Sequence, residues 1–121
     1  MTYPWIDDYC SGKPGCKKDY QEEWGAFRYM LEGKMFAMTG TDKDKRKIIT
    51  LKLDPEFGSL LREQYPDIRP GYYMNKIHWN SIDLNGSVPD DVLKKMVDES
   101  HGLIFASLPK KIQKSILEVS T

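Results

Sequence analysis

Two short runs of this chain concentrate residue types that grip anions. Asp42-Lys43-Asp44-Lys45-Arg46-Lys47 sets four bases against two acids between apolar segments, where the tip of a hairpin is expected. A basic tip can lie along a phosphate backbone as a wing, each neutralised phosphate releasing counterions. A loop of mixed charge also serves simply to keep a hairpin solvated. The second run, residues 69–79, mixes Arg69, Lys76 and His78 with Tyr72, Tyr73 and Trp79. Aromatics beside cations can stack on bases or sugars while the cations hold phosphate. The alternative packs Tyr72, Tyr73 and Trp79 into a core and leaves Asn75 and His78 to satisfy a turn's backbone groups. A third grouping of Lys52, Asn75, Lys76, His78 and Trp79 would build a pocket for a small molecule or a protein partner, and would need a concave site.

Chemistry beyond binding is harder to assemble. His78 is the only histidine of the second run, and Lys52 or Lys76 offers positive charge to an anionic ligand. No nucleophile with an adjacent base, phosphate-cradling glycine loop or metal-ligand set can be read, so the expectation is a non-enzymatic protein with no cofactor and no metal. His101 falls within a long helical pattern and reads as a packing-edge residue. Cys10 and Cys16 are too few for a disulfide framework and have no histidine close in sequence, so they read as reduced, partly buried thiols.

Eighteen Lys and Arg balance eighteen Asp and Glu, giving a formal net charge of zero. That excludes a whole-molecule field that draws in nucleic acid, and any such binding must come from local clusters. Low net charge also eases self-association, so a monomer or a weak homodimer is expected. With 40% hydrophobic and 30% charged residues, the chain can bury a core. No apolar run approaches the roughly 20 residues that span a bilayer. The first eight residues lack a basic region followed by an apolar stretch, so a cytoplasmic protein with no membrane partner is expected.

The elements that must position these runs follow from periodicity. A short helix capped by Thr2 or Tyr3 places Ile6, Tyr9 and Cys10 on one face and ends at Gly12 and Pro14. The polar stretch to Glu23 leaves room for a short edge strand. Three strands are expected at 26–31, 34–39 and 47–53, the first two joined by a Glu32-Gly33 turn. Phe27, Tyr29 and Leu31 share one face of the first, and Ile49, Leu51 and Leu53 one face of the third. Asp54 caps a helix with Phe57, Leu60 and Leu61 at helical spacing, and Pro66 and Pro70 shape a rigid connection after it. A strand at 76–84 carries a conflict, because Ile77 and Trp79 lie on one phase and Ile82 and Leu84 on the other. A bulge or an exposed aromatic would reconcile them. Pro89 opens a long helix burying Leu93, Met96, Val97, Ser100 and Ile104, and a last helix near Pro109 packs Ile112 and Ile116. The sum is one α+β domain over residues 1–121, an antiparallel sheet of about five strands with helices on one face.

The stretch from Pro66 through Trp79, with Arg69-Pro70-Gly71-Tyr72-Tyr73-Met74-Asn75-Lys76-Ile77-His78-Trp79 at its centre, resembles the signature of the MmcQ/YjbR family of small bacterial proteins. The similarity continues through residues 81–90 and resumes at Asp98-Glu99-Ser100 and Leu108-Pro109-Lys110-Lys111. Upstream it includes Gly33-Lys34-Met35-Phe36-Ala37 and Leu51-Lys52-Leu53-Asp54-Pro55-Glu56. The resemblance implies a two-layer, frataxin-like α+β architecture. It also implies the family's double-wing DNA-binding label, which rests on structural analogy. On that reading Lys43, Lys45, Arg46, Lys47, Arg69 and Lys76 contact phosphates and Tyr72 and Tyr73 support them, with DNA as partner. The frataxin-like fold raises iron binding, which needs a dense acidic ridge. Asp7 and Asp8 alone do not make one, and Asp90 and Asp91 are explained by the first turn of their helix.

Overall fold

The computed structural model describes residues 2–71 and 75–120. Its elements run α1 (Ile6–Ser11), β1 (Cys16–Gln21), β2 (Ala26–Leu31), β3 (Lys34–Thr41), β4 (Lys47–Lys52), α2 (Pro55–Gln64), β5 (Ile68–Pro70), β6 (Trp79–Asp83), α3 (Asp90–Ala106) and α4 (Lys110–Ser120). The six strands form one antiparallel sheet in the order β1-β2-β3-β4-β6-β5. The chain thus leaves β4 through α2, forms β5 at the far edge, and returns as β6 to fill the gap.

Local chemistry sets the joints. Glu32 and Gly33 both take positive φ, 49° and 80°, which a two-residue hairpin turn requires. The Asp54 carboxylate accepts from the backbone N–H groups of Glu56 and Phe57, and Pro55 needs no donor there. One face of the sheet packs against the helices. Tyr29, Leu31, Ile49, Leu51 and Ile82 are buried there against Ile6, Cys10, Leu61, Leu93, Met96 and Val97. All five side chains expected in the buried stripe of α3 are buried, and His101 joins them.

Among the described residues, the opposite face carries no helix. Strand alternation puts Met38, Ile48, Thr50 and Ser81 on it, all buried yet outside the helix-side core in the case of Met38 and Ile48. The Thr50 and Ser81 hydroxyls bond each other at 2.9 Å across β4 and β6.

Several expectations need correction. The sheet has six strands, because residues 68–70 pair with β6 where a mere connection was expected. Pro70 is tolerated because β5 is an edge. The strand expected at 76–84 covers only Trp79–Asp83, with residues 76–78 in a turn. That takes Ile77 out of the strand and leaves it exposed, while Trp79 stays in it on the face opposite Ile82, half-buried, with no bulge. The N-cap of α1 is Trp5, with no side-chain cap, in place of Thr2 or Tyr3. Tyr3 is instead buried, its hydroxyl donating to the Val88 carbonyl at 2.8 Å. Leu60 and Phe27 are exposed, although spacing put both on apolar faces.

Candidate functional site

The loop between β3 and β4 is knotted around Asp42. The Asp42 backbone N–H donates to the Arg46 carbonyl, and the Lys45 N–H donates to the Asp42 carbonyl, both at 3.0 Å. Its carboxylate accepts from the backbone N–H of Asp44 (2.9 Å), the N–H of Arg46 (3.0 Å) and Arg46 Nε (2.9 Å). Burial alone would raise the Asp42 pKa. The backbone bonds from Arg46 and Asp44, with the Arg46 guanidinium, outweigh it and hold the carboxyl below its ordinary range. Arg46 also reaches Asp44 at 3.3 Å, so both acids of the loop are engaged by one arginine. Lys43, Lys45 and Lys47 stand exposed around it.

The second run meets this loop. Arg69, on β5 opposite Ser81, projects to the helix-free face and brings Nη2 to 3.7 Å from Asp42 Oδ2. The Lys76 ammonium donates to the Gly71 carbonyl at 3.0 Å. Between loop and sheet lies a cavity of about 110 Å³, its walls formed by Asp42, Lys43, Arg46, Arg69 and Lys76. Ile48 and Ser81 also line it. Four of the bases singled out in the sequence therefore converge on one recess. Its volume is well below the roughly 300 Å³ at which pockets begin to enclose organic ligands.

The remaining sequence candidates separate. Lys47 pairs with Thr41 and by alternation turns to the helix side, where it lines another cavity of about 280 Å³ with Phe27 and Gly40. Lys45, at φ 62°, sits at the loop tip. Tyr72 and Tyr73 lie outside the described residues. Lys52 and Trp79 are cross-strand partners at the other end of β4 and β6. Asn75 shapes the turn, its Oδ1 accepting from the Ile77 N–H at 2.8 Å and its carbonyl from the Trp79 N–H at 2.9 Å. The His78 carbonyl accepts from the Leu53 N–H at 2.8 Å. Of the five residues proposed for a small-ligand pocket, Lys76 is the one that lines the recess.

Gly71 is what lets the second run fold so tightly. Its N–H donates to the Trp79 carbonyl at 2.7 Å, and a Cβ there would lie 2.8 Å from the Trp79 Cβ. Asp42 is the site residue that sequence reading passed over. An Asp at the head of a turn, with N–H groups two and four residues on, was the available signal.

Elsewhere, burial pushes the Cys10 thiol up to about 12 and raises Cys16, so neither is a ready thiolate. Both are free cysteines. Among the described residues no group of three His, Cys, Asp or Glu is placed to hold a metal ion. No helix among them is long and apolar enough to cross a membrane.

Fold and site together define a small two-layer α+β domain with a cationic recess on its helix-free face. The chain belongs to the YjbR family, whose model, described simply as YjbR, matches residues 11–103. It is similar to the uncharacterised protein YjbR of Escherichia coli K12, 34% identical over 119 residues covering 98% of this chain and 100% of the relative. It is also similar to the uncharacterised protein YbdF of Escherichia coli O157:H7, 33% identical over 88 residues, 73% of this chain and 71% of that one. Among solved structures, a Deinococcus radiodurans protein with the DUF419 domain superposes with a TM-score of 0.84 at 27% identity, covering 96% of this chain and 88% of that one. A Pseudomonas syringae protein superposes at 0.74 with 25% identity, covering 85% and 98%. The family and the α+β architecture expected from the sequence are both borne out.

Proposed function

We propose that the protein binds DNA without base-specific readout, contacting phosphates with Lys43, Lys45, Arg69 and Lys76 on the helix-free face of the sheet. The observation that carries the reading is the meeting of the two basic runs. The 42–47 loop and Arg69 had to face the same side for a wing to work, and Asp42 joins them at 3.7 Å. A chain of zero net charge can still hold phosphate where cations are gathered locally. The rival pocket of Lys52, Asn75, Lys76, His78 and Trp79 draws less support, since Asn75 serves the turn and only Lys76 reaches the recess.

Fluorescence anisotropy of a labelled duplex at two salt concentrations tests this. Binding in the micromolar to sub-millimolar range is expected, with a log–log salt slope of about −3 to −4 for four phosphate contacts. Lys43→Ala and Lys76→Ala should each weaken binding and flatten the slope by about 1. Absence of binding at low salt would remove DNA as the partner.

A further inference from the structure

We propose that the recess beneath the 42–46 loop is a seat for one phosphomonoester group, so that DNA ends bearing a terminal phosphate are preferred over uninterrupted backbone. The proposal rests on the DNA reading and narrows its ligand.

Size comes first. At about 110 Å³ the recess holds a few waters at roughly 30 Å³ each, which is room for a tetrahedral oxyanion and not for a nucleoside. Charge comes second. Lys43, Arg46, Arg69 and Lys76 set four positive charges around the Asp42 carboxylate, with Asp44 held at the rim by Arg46 at 3.3 Å. The Asp42 carboxylate offsets part of the positive charge and arranges the rest. Its Oδ2 lies 2.9 Å from Arg46 Nε and 3.7 Å from Arg69 Nη2, holding two guanidiniums beside the cavity. Planar guanidinium forks match phosphate oxygens in pairs, and pre-positioning reduces the entropy lost on binding.

Shape then selects among phosphates. An internal phosphodiester carries a nucleoside on both sides and can only lie across the mouth, where Lys45 at the loop tip would meet it. A monoester has one substituent, can enter, and brings nearly a second negative charge at neutral pH. The same chemistry is present on a free nucleotide, so the source has to be separated by experiment.

The test uses the full chain and a 3′-labelled duplex prepared with either a 5′-phosphate or a 5′-hydroxyl, with adenosine monophosphate and inorganic phosphate as separate ligands. The phosphorylated duplex should bind about tenfold more tightly, the worth of one or two charge-assisted hydrogen bonds. Arg69→Gln should abolish that preference, and Arg69→Lys should retain part of it. Lys45→Ala should weaken both duplexes equally and leave the ratio intact. Circular dichroism confirms that each variant is folded. Equal binding of the two duplexes by the unmodified protein would overturn the seat and leave backbone contact standing. Adenosine monophosphate binding as tightly as the phosphorylated duplex would keep the seat and overturn DNA as its source. If no phosphorylated probe binds, both are overturned.

Discussion

Asp42 and Arg69 join the two basic runs: the Asp42 Oδ2 lies 3.7 Å from the Arg69 Nη2, tying the β3–β4 loop to the edge strand β5. One carboxylate, its side chain only 6% exposed, thereby organises a surface that gathers Lys43, Arg46, Arg69 and Lys76. The same carboxylate folds the loop and opposes the anion the loop would bind, so its removal has two separable effects.

Asp42→Asn keeps an oxygen to accept from the Asp44 and Arg46 N–H groups while deleting the charge. The loop should persist and DNA affinity should rise severalfold, because one repulsive charge is gone. Asp42→Ala unties the loop, and both thermal stability and binding should fall. The folded-state pKa is depressed, so the stabilisation is present above the ordinary carboxylate pKa of about 4 and is lost as pH falls through the lower folded value. Thermal melts between pH 3 and 7 should therefore show a weaker acid limb in Asp42→Asn.

Two glycines should respond with opposite sign. At Gly71 a methyl group would lie 2.8 Å from the Trp79 Cβ and 3.0 Å from its carbonyl oxygen, forcing the turn open. Gly71→Ala should cost about 1–3 kcal/mol, lower the melting temperature and weaken DNA binding by displacing Lys76. At Gly102, within α3, a Cβ meets nothing within 4 Å. Gly102→Ala should stabilise by up to about 1 kcal/mol. Chemical denaturation of both variants checks the pair.

His101 is buried on α3 between Phe36 and Phe105, its Nε2 2.8 Å from the Pro14 carbonyl. As a neutral ring it donates that N–H, and burial pushes its pKa below the ordinary value. The unfolded chain therefore takes up a proton before the folded one does. Stability should be full above about pH 6.5 and decline as pH falls from there through the lower folded value. The difference in melting temperature between pH 7.5 and 5.5 should shrink in His101→Gln.

Ser100 completes the sheet from the helix side. Its hydroxyl accepts from the Lys52 N–H at 2.9 Å and donates to the Phe36 carbonyl. Ser100→Ala leaves both backbone groups buried without that partner and should cost about 1–3 kcal/mol in urea unfolding. Faster amide exchange at Lys52 would accompany it.

Much of this architecture was legible because local signals were consistent. The Glu32-Gly33 turn, the Asp54 cap and the buried stripe of α3 each follow from short-range chemistry. Failures came where tertiary context decided. Ile68 to Pro70 is too short to show alternation, and becomes a strand only because β6 offers it an edge. Ile77 lies outside a strand that begins at Trp79, whose ring half-buries on the face opposite Ile82. Phe27 shares the phase of Tyr29 and Leu31 but is left 44% exposed, which alternation could not foresee. In the site, the basic residues were visible as types, whereas their sorting was not. Strand pairing alone sends Lys47 to the helix side and Arg69 to the opposite one.

The central claim is that DNA phosphates meet the helix-free face at the junction of Asp42 and Arg69. Amide chemical shifts of the isotope-labelled protein, titrated with a short duplex at low salt, test it most directly. The expected result is progressive movement of resonances from residues 42–46, Arg69, Gly71 and residues 75–76 that reverses on adding salt, with α3 and α4 unmoved. Shifts confined to α3 or α4, or no shifts at all, would contradict it.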